Sequence, residues 1–534
     1  MVMKQFAKRR MKVVELNRHL TALILTLGLA LQSGPAGAFS PFEGNSADLV
    51  TLPALKAFVS KHRISIGRTQ LDFTATAGES YIYDDRGEPI ATMFSYAFTK
   101  DKGDPSRPVL FIVPGGPGNA TEAGVSSFGP WRIVRPSETA SGFPRSVPPV
   151  SIEDNPNSLL DVADLVFIDP VGTGYSRIVG KGKPEQFYGV DVDIDIFAQF
   201  VEQWLVRNNR WNSPRYLTGQ SYGGLRAAIF PRAFNGDVTT GIVRGITLNG
   251  VIPVVNSLSL PGWGAEGLDP VLTAATTFPS YAVAAWYHNK IDRNGRSLEA
   301  YHEEAYAFAV GDYAAALKKE ATQTLTQTER AKIVARLAMF TGLPHETFER
   351  KLSLDVMEFS NLLLADQGLR LAAYDSRVTI PAKLAGPDPV GDDPSLAREF
   401  PIEIAGFRIV EQQKLRMTMG RPYIAQDFRN VGMKWERKRR PMVLGGDNFK
   451  TQAEELGSAM AVNDDLRALI AVNYFDMVMP TAQARLAVEL AKLPEDRTSV
   501  NFYLDGHSST GGAAATKLAQ DMRAFIRGTV AGAR

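Results

Sequence analysis

Three residues of this 534-residue chain have the types and spacing for nucleophilic chemistry: Ser221, Asp476 and His507. Ser221 stands in Gly219-Gln220-Ser221-Tyr222-Gly223, where small flanking residues permit a sharp strand-to-helix turn that lifts a serine hydroxyl above a sheet. Tyr216-Leu217-Thr218 reads as the strand before it and Leu225 to Phe230 as the helix after it. A serine hydroxyl is a poor nucleophile until a base takes its proton, so a histidine must reach it. Of the six histidines, His19 lies in the N-terminal leader and His62 ahead of the sheet, while His288, His302 and His345 fall in a helical stretch. His507 alone follows a C-terminal strand, in Leu504-Asp505-Gly506-His507.

On a turn of this kind the orienting acid precedes the histidine in chain order and sits at a strand end. Asp476, in Tyr474-Phe475-Asp476, meets both conditions, and one helix-length segment separates it from the strand carrying His507. Asp447, in Leu444-Gly445-Gly446-Asp447, is the rival and the less favoured. Attack on a carbonyl also needs two N–H donors for the developing oxyanion, one from the residue after the nucleophile and one from an earlier strand-end loop. Tyr222 and Gly116 are the candidates. Gly116 belongs to Pro114-Gly115-Gly116-Pro117-Gly118, which lacks the Gly-Lys-Ser/Thr ending of a phosphate-binding loop.

The elements that must carry these residues repeat one grammar. Short apolar strands end in glycine-rich turns at Val109 to Val113, Asp164 to Ile168, Tyr216 to Thr218 and Ile246 to Gly250, and they alternate with helical segments such as Asp193 to Asn208. That alternation predicts an α/β fold with a mostly parallel central sheet. Antiparallel strands joined by a tight turn at Asp85-Arg86-Gly87 precede it, between Tyr81 and Tyr96. From about Pro253 to Pro441 strands give way to long helical segments, among them Tyr301 to Glu320 and Thr326 to Phe340. Strands return at Leu466 to Val472 and Ser499 to Leu504, and a last helix places Leu518, Met522, Phe525 and Ile526 on one face. The expected organisation is a leader over 1–38, a core in two parts over 39–252 and 442–534, and a helical cap insertion over 253–441.

Lys4 to Arg18, the apolar run Leu20 to Leu31 and Ala36-Gly37-Ala38 form a three-part secretory signal. The apolar run falls short of the roughly 20 residues a membrane-spanning helix needs, so no stable span is expected once the signal is removed. Losing six basic and one acidic residue takes the formal charge from +2 to −3, which removes any argument for nucleic acid as a partner. Lys434 to Arg440 is basic but reads as a solvated helix face or loop. The chain has no cysteine, which excludes disulfides, thiolate metal sites and a cysteine nucleophile together. No His-rich or carboxylate cluster has metal-ligand spacing, so neither metal nor cofactor is expected. Export without disulfides points to a bacterial periplasm. The sequence leaves the oligomeric state open.

Together these motifs resemble the serine carboxypeptidase family. The matching blocks are Gly115 to Gly118, Asn155-Pro-Asn-Ser158 leading to Asp169 to Ser176, Gly219 to Gly224, and Tyr474 to Asp476 with Gly506-His507. Bacterial members look nearest, through Pro279 to Ala282 and Ala285 to His288. The resemblance implies an α/β-hydrolase fold with a helical cap, a peptide substrate, Ser221, Asp476 and His507 as triad, Gly116 and Tyr222 as oxyanion donors, and Gln220 and Gly115 as substrate-binding positions. It also carries departures: where eukaryotic members grip the substrate's terminal carboxylate with an Asn and two Glu residues, the corresponding positions here are Pro114, Gln220 and Ser127. Carboxypeptidase specificity therefore competes with a prolyl-aminopeptidase-like peptidase or an esterase. A binding protein that kept the fold and lost the chemistry is the remaining alternative.

Overall fold

The computed structural model describes residues 52–134, 148–236, 243–387, 392–441, 448–508 and 512–532. The leader and the rival acid Asp447 lie outside the described residues.

The central sheet is built from β1 (Ala57–Ile66), β2 (Thr69–Tyr83), β3 (Pro89–Lys100), β4 (Val109–Val113), β5 (Asp164–Asp169), β6 (Arg177–Ile178), β7 (Arg215–Gln220), β8 (Gly250–Val254), β9 (Arg467–Asn473) and β10 (Thr498–Tyr503). Its order is β1-β2-β3-β5-β4-β7-β8-β9-β10, with β6 paired to β3. The pairs from β5 to β10 along that order are parallel, and β1, β2, β3 and β6 join antiparallel. β4 and β5 are buried at every residue, as parallel strands covered on both faces must be. β4 and β7 are neighbours whose connections run to opposite sides, and the crevice beyond their carboxyl ends is where such sheets hold their sites.

Helices α1 (Glu122–Phe128), α2 (Val190–Arg207) and α3 (Tyr222–Asn235) follow β4, precede β7 and follow β7 respectively. α2 turns Ile194, Phe197, Val201, Trp204 and Leu205 toward the core, the 3.6-residue stripe read from the sequence. α3 is buried almost throughout, because the sheet and a later helix enclose it.

The insertion between β8 and β9 has two parts. Helices α4 (Pro270–Tyr287), α5 (Leu298–Phe308), α6 (Ala314–Ala321) and α7 (Gln327–Thr341) pack Phe278, Tyr281, Phe308, Tyr313 and Phe340 into a core of their own. By contrast α8 (Pro394–Ile409) and the chain after it contribute Phe407, Leu415, Val431 and Trp435 to the clusters flanking the sheet. α9 (Gln452–Val462) packs on α3, α10 (Thr481–Ala491) joins β9 to β10, and α11 (Gly512–Gly532) closes against β8 to β10.

Three sequence expectations need correction, and a fourth, the solvated basic run, holds with two exceptions. The strand expected at Ile246 to Gly250 begins only at Gly250 and runs through Pro253 to Val254; Asn249 instead bonds Arg215 through both its backbone and its side chain. The helical stretch Tyr301 to Glu320 is broken by a wide turn over Ala309–Tyr313, where Gly311 leaves helical geometry. His62 does not precede the sheet but lies within β1, its ring against Phe73 and Trp131. The basic run is an exposed loop except at Trp435, which is buried, and Arg439, which pairs with Asp191 and Glu455.

Candidate active site

Ser221 sits between β7 and α3 with φ 58° and ψ −121°, a conformation that a residue with a side chain rarely adopts. Two bonds with the end of β8 and the chain just past it hold it: Ser221 N–H donates to Val254 O at 2.9 Å, and Asn256 Nδ2 donates to Ser221 O at 2.8 Å. The flanking glycines are required by close approach. A Cβ on Gly219 would fall 2.6 Å from the Gly223 carbonyl, and one on Gly223 would fall 2.6 Å from Val113 O.

His507 and Asp476 come together at the ends of β10 and β9. The imidazole Nδ1 donates to Asp476 Oδ2 at 2.6 Å, and Asp476 Oδ1 accepts from the N–H groups of Val478 and Met479 at 2.7 and 2.9 Å. Asp476 is fully buried, and His507 is 7% exposed. Ser221 and His507 line the same cleft of about 1010 Å³. A serine on a strained turn, a histidine and a buried carboxylate bonded to that histidine can form a nucleophile, a base and an orienting group.

The loop after β4 lies against the nucleophile. A Cβ on Gly115 would stand 3.4 Å from Ser221 Cβ, and Gly116 lines the cleft beside it with φ 105°. Tyr222 opens α3, so its N–H has no intrahelical acceptor. Its side chain turns into the core, where the hydroxyl accepts from Trp435 Nε1 at 3.0 Å. Arg226, fully buried, pairs with Asp193 at 2.7 and 3.0 Å and donates to Pro114 O at 2.7 Å, which ties the glycine loop to α3. Gln220 lines the cleft, but its Nε2 donates to His507 O at 2.5 Å.

The cleft walls come from α1, α8 and the segments on either side of α8. Phe128, Leu384, Phe400 and Phe428 make an apolar lining, and Glu122, Arg398 and Glu403 add charge. Burial pushes the Glu122 carboxyl up to about 8, and the charges of Asp169 and Glu403 push the same way. Asp169, bonded to the N–H groups of Thr121 and Tyr175, is likewise raised by burial to about 7. Ser127 donates its hydroxyl to Ala123 O at 2.8 Å along α1. Among the described residues no group of three or more His, Asp or Glu side chains is arranged to hold a metal ion, and no helix is long and apolar enough to cross a membrane.

Sequence reasoning missed Asn256, Arg226 with Asp193, and the cap residues around His507. Arg226 left a weak signal, an arginine in an otherwise apolar helix run. Asn256 left none, since its role depends on the path the chain takes after β8.

Residues 69–334 match the family model of the serine carboxypeptidases, a stretch that includes Ser221 and ends before Asp476 and His507. With the sheet order and the serine turn, that match defines the class: the chain is a serine hydrolase of α/β-hydrolase fold. Within that class the family it matches, over 69–334, is that of the serine carboxypeptidases. No curated protein matches it. Solved structures with a similar chain course include the thioesterase domain from the curacin biosynthetic pathway, 11% identical with a TM-score of 0.34, over 84% of this chain and 99% of that one. Juvenile hormone epoxide hydrolase from the silkworm Bombyx mori is 12% identical with a TM-score of 0.31, over 86% and 80%. Esterase E22 is 12% identical with a TM-score of 0.30, over 89% and 100%.

Proposed function

We propose that this chain is an exported serine peptidase that cleaves peptide bonds through an acyl-enzyme on Ser221. The observation that carries the reading is the 2.6 Å bond from His507 to buried Asp476 in the cleft that Ser221 lines. His507 takes the Ser221 proton as Oγ bonds the scissile carbonyl carbon, then gives that proton to the departing amine as the C–N bond breaks. Water, deprotonated by the same imidazole, attacks the ester and releases the acid and Ser221. Asp476 fixes the imidazole tautomer and offsets its transient charge. The N–H groups of Gly116 and Tyr222 hold the oxyanion, and Gly115 keeps the substrate path beside Ser221 clear of side chains.

Within this reading the enzyme removes C-terminal residues. Arg398 is the cation among the described cleft residues, and a guanidinium binds a carboxylate through two parallel bonds without needing a titrating acid. Glu403 in the same cleft favours a second reading, an aminopeptidase whose carboxylate holds a free amino terminus. Matched peptides with free, amidated and N-acetylated ends, followed by mass spectrometry with Ser221→Ala as control, decide between them. Stepwise loss from a free C-terminus, unaffected by acetylation, supports the first reading; cleavage that requires a free N-terminus overturns it, and turnover of simple esters with no peptide cleavage overturns both.

Export to a bacterial periplasm, with the leader removed after Ala38, belongs to the same proposal. N-terminal sequencing of protein recovered from the periplasmic fraction tests it.

A further inference from the structure

Asp476 and His507 stand on two loops that have already left the sheet. The β9–β10 ladder ends at Asn473 and Tyr503, and two further backbone bonds, from Tyr474 N–H to Tyr503 O and from Phe475 N–H to Asp505 O, each 3.0 Å, carry the pairing only as far as the residues before Asp476 and His507. Misplacement by about 1 Å at a catalytic group can cost roughly a hundredfold in rate, so the two side chains beyond those bonds need further support.

The cap segment 373–377 touches both. On the acid side, Ser376 N–H donates to Phe475 O at 2.9 Å and Met477 N–H donates to Ala373 O at 3.1 Å, so the bonds bracket Asp476. On the base side, His507 N–H donates to Tyr374 O at 2.6 Å, and the Tyr374 ring meets the imidazole edge to face at 4.6 Å between centroids. Arg377 closes the arrangement: it spans Asp375 at 2.9 and 2.7 Å, Asp505 at 2.5 Å and Leu504 O at 3.1 Å, with its guanidinium over the Phe475 ring. Gly506 allows this approach, since a Cβ there would fall 2.5 Å from the Asp375 side chain.

The same segment is fixed to the cleft wall. Asp393 caps α8 through Oδ1, which accepts from the N–H groups of Ser395 and Leu396, while its Oδ2 accepts from Ala373 and Tyr374 N–H at 2.7 and 3.1 Å. Leu396, Arg398 and Phe400 of that helix line the cleft.

We propose that the cap segment 373–377 positions His507 against Asp476, with Arg377 and Asp393 as the positioning residues that fix it between the triad loops and the cleft wall. The inference rests on His507 being the base. It makes the cap part of the catalytic machinery as well as a cover over it: an occupant that presses on α8 acts on the histidine through Asp393.

The test is Arg377→Met, with Asp393→Asn as the second variant in case the first does not fold. Three readouts are taken below the unfolding temperature: kcat and KM on a small activated ester, the rate of Ser221 labelling by a fluorophosphonate, and the low-field proton resonance of the His507–Asp476 bond. We expect kcat and labelling to fall together by about tenfold or more with KM within about twofold, and the low-field proton to broaden, since misplacement alone accounts for losses of that order. Arg377→Lys restores part of kcat, because an ammonium can pair with Asp505 but cannot span both carboxylates as a planar fork does. Unchanged kcat in a folded variant, a loss confined to KM, or an intact low-field proton with reduced kcat each overturn the proposal. His507→Ala separates this failure from failure of the functional reading: if it leaves labelling intact, His507 is not the base, whereas if it abolishes labelling while Arg377→Met does not, only the positioning inference falls.

Discussion

Gln220 and His507, 287 residues apart in the chain, are joined by a bond from the glutamine Nε2 to the histidine carbonyl at 2.5 Å. The residue before the nucleophile thus holds the loop that carries the base. With His507 N–H bonded to Tyr374 O, and Asn473 Nδ2 donating to Gly506 O at 2.5 Å, the backbone around the imidazole is fixed on both sides.

Gln220→Glu tests that bond. A carboxyl can donate to His507 O only while protonated, and once ionised it places a negative charge beside the imidazole, which favours imidazolium and raises its pKa. The acid limb of the kcat/KM profile therefore moves to higher pH, with a loss of roughly 3- to 10-fold on that limb. Because the effect acts through His507, free-acid and amidated peptides shift alike. A shift confined to free-acid peptides would show that residue 220 contacts the substrate carboxylate instead.

Asp476→Asn and Asp447→Asn distinguish the two acids that the sequence offered. An asparagine at 476 can present its N–H to Nδ1 and stabilise the wrong tautomer, so kcat should fall by about three to four orders of magnitude. Folding should survive, since Val478 and Met479 N–H still find a carbonyl oxygen. Asp447→Asn should leave kcat within about twofold, as substitutions away from the catalytic groups commonly do. The reverse pattern in steady-state kinetics would move the acid to Asp447.

The serine turn and the strands that feed it were legible because local chemistry dictates them. Gly219 and Gly223 are demanded by contacts within a few residues of themselves and of Val113, and buried parallel strands such as β4 and β5 announce themselves as apolar runs. β1 and the first half of β2 are not legible because β1 is an edge strand that blurs the alternation, with Val59 on its outer face and Ser60 and His62 on its inner one; only Ile64 and Ile66 on it, then Leu71, Phe73, Ala75 and Ala77 on β2, are buried apolar positions of the inner face. Arg377 was not legible at all. Its meaning comes from Asp505, 128 residues away, and no local pattern connects an arginine in a cap loop with a histidine loop at the end of the chain.

Arg226→Met probes how the glycine loop is held. The guanidinium is fully buried, pairs with Asp193 and donates to Pro114 O, so its loss strands a carboxylate whose pKa burial already raises. Breaking one side of a buried pair costs about 3–5 kcal/mol, and chemical denaturation should show a loss of that size. Arg226→Met with Asp193→Leu should recover most of the stability but not the Pro114 contact, leaving kcat below that of the unaltered enzyme. A double variant no more stable than the single one would show that the pair is not the reason Arg226 matters.

The carboxyls behind the cleft predict how stability depends on pH. Burial raises Glu122 to about 8, and Asp169 and Glu411 to about 7 each, all above the ordinary carboxylate range. In the window between that range and about 8 the folded protein keeps protons that the unfolded chain has released. Their contribution to stability is therefore fully present only below the ordinary carboxylate range and is lost progressively as pH rises from there through about 7 to 8. Tm should fall from pH 5 to pH 8.5, opposite to the trend of a protein whose carboxylates are stabilised as ions. Glu122→Gln removes the most strongly shifted of the three while keeping an acceptor for the Tyr423 hydroxyl, so it should flatten the slope above pH 7 and raise Tm most at the alkaline end. Calorimetric scans of both proteins across this range check the sign. A Tm that rises with pH, or a Glu122→Gln variant whose slope matches that of the unaltered protein, would mean that Glu122 is ionised in its buried position.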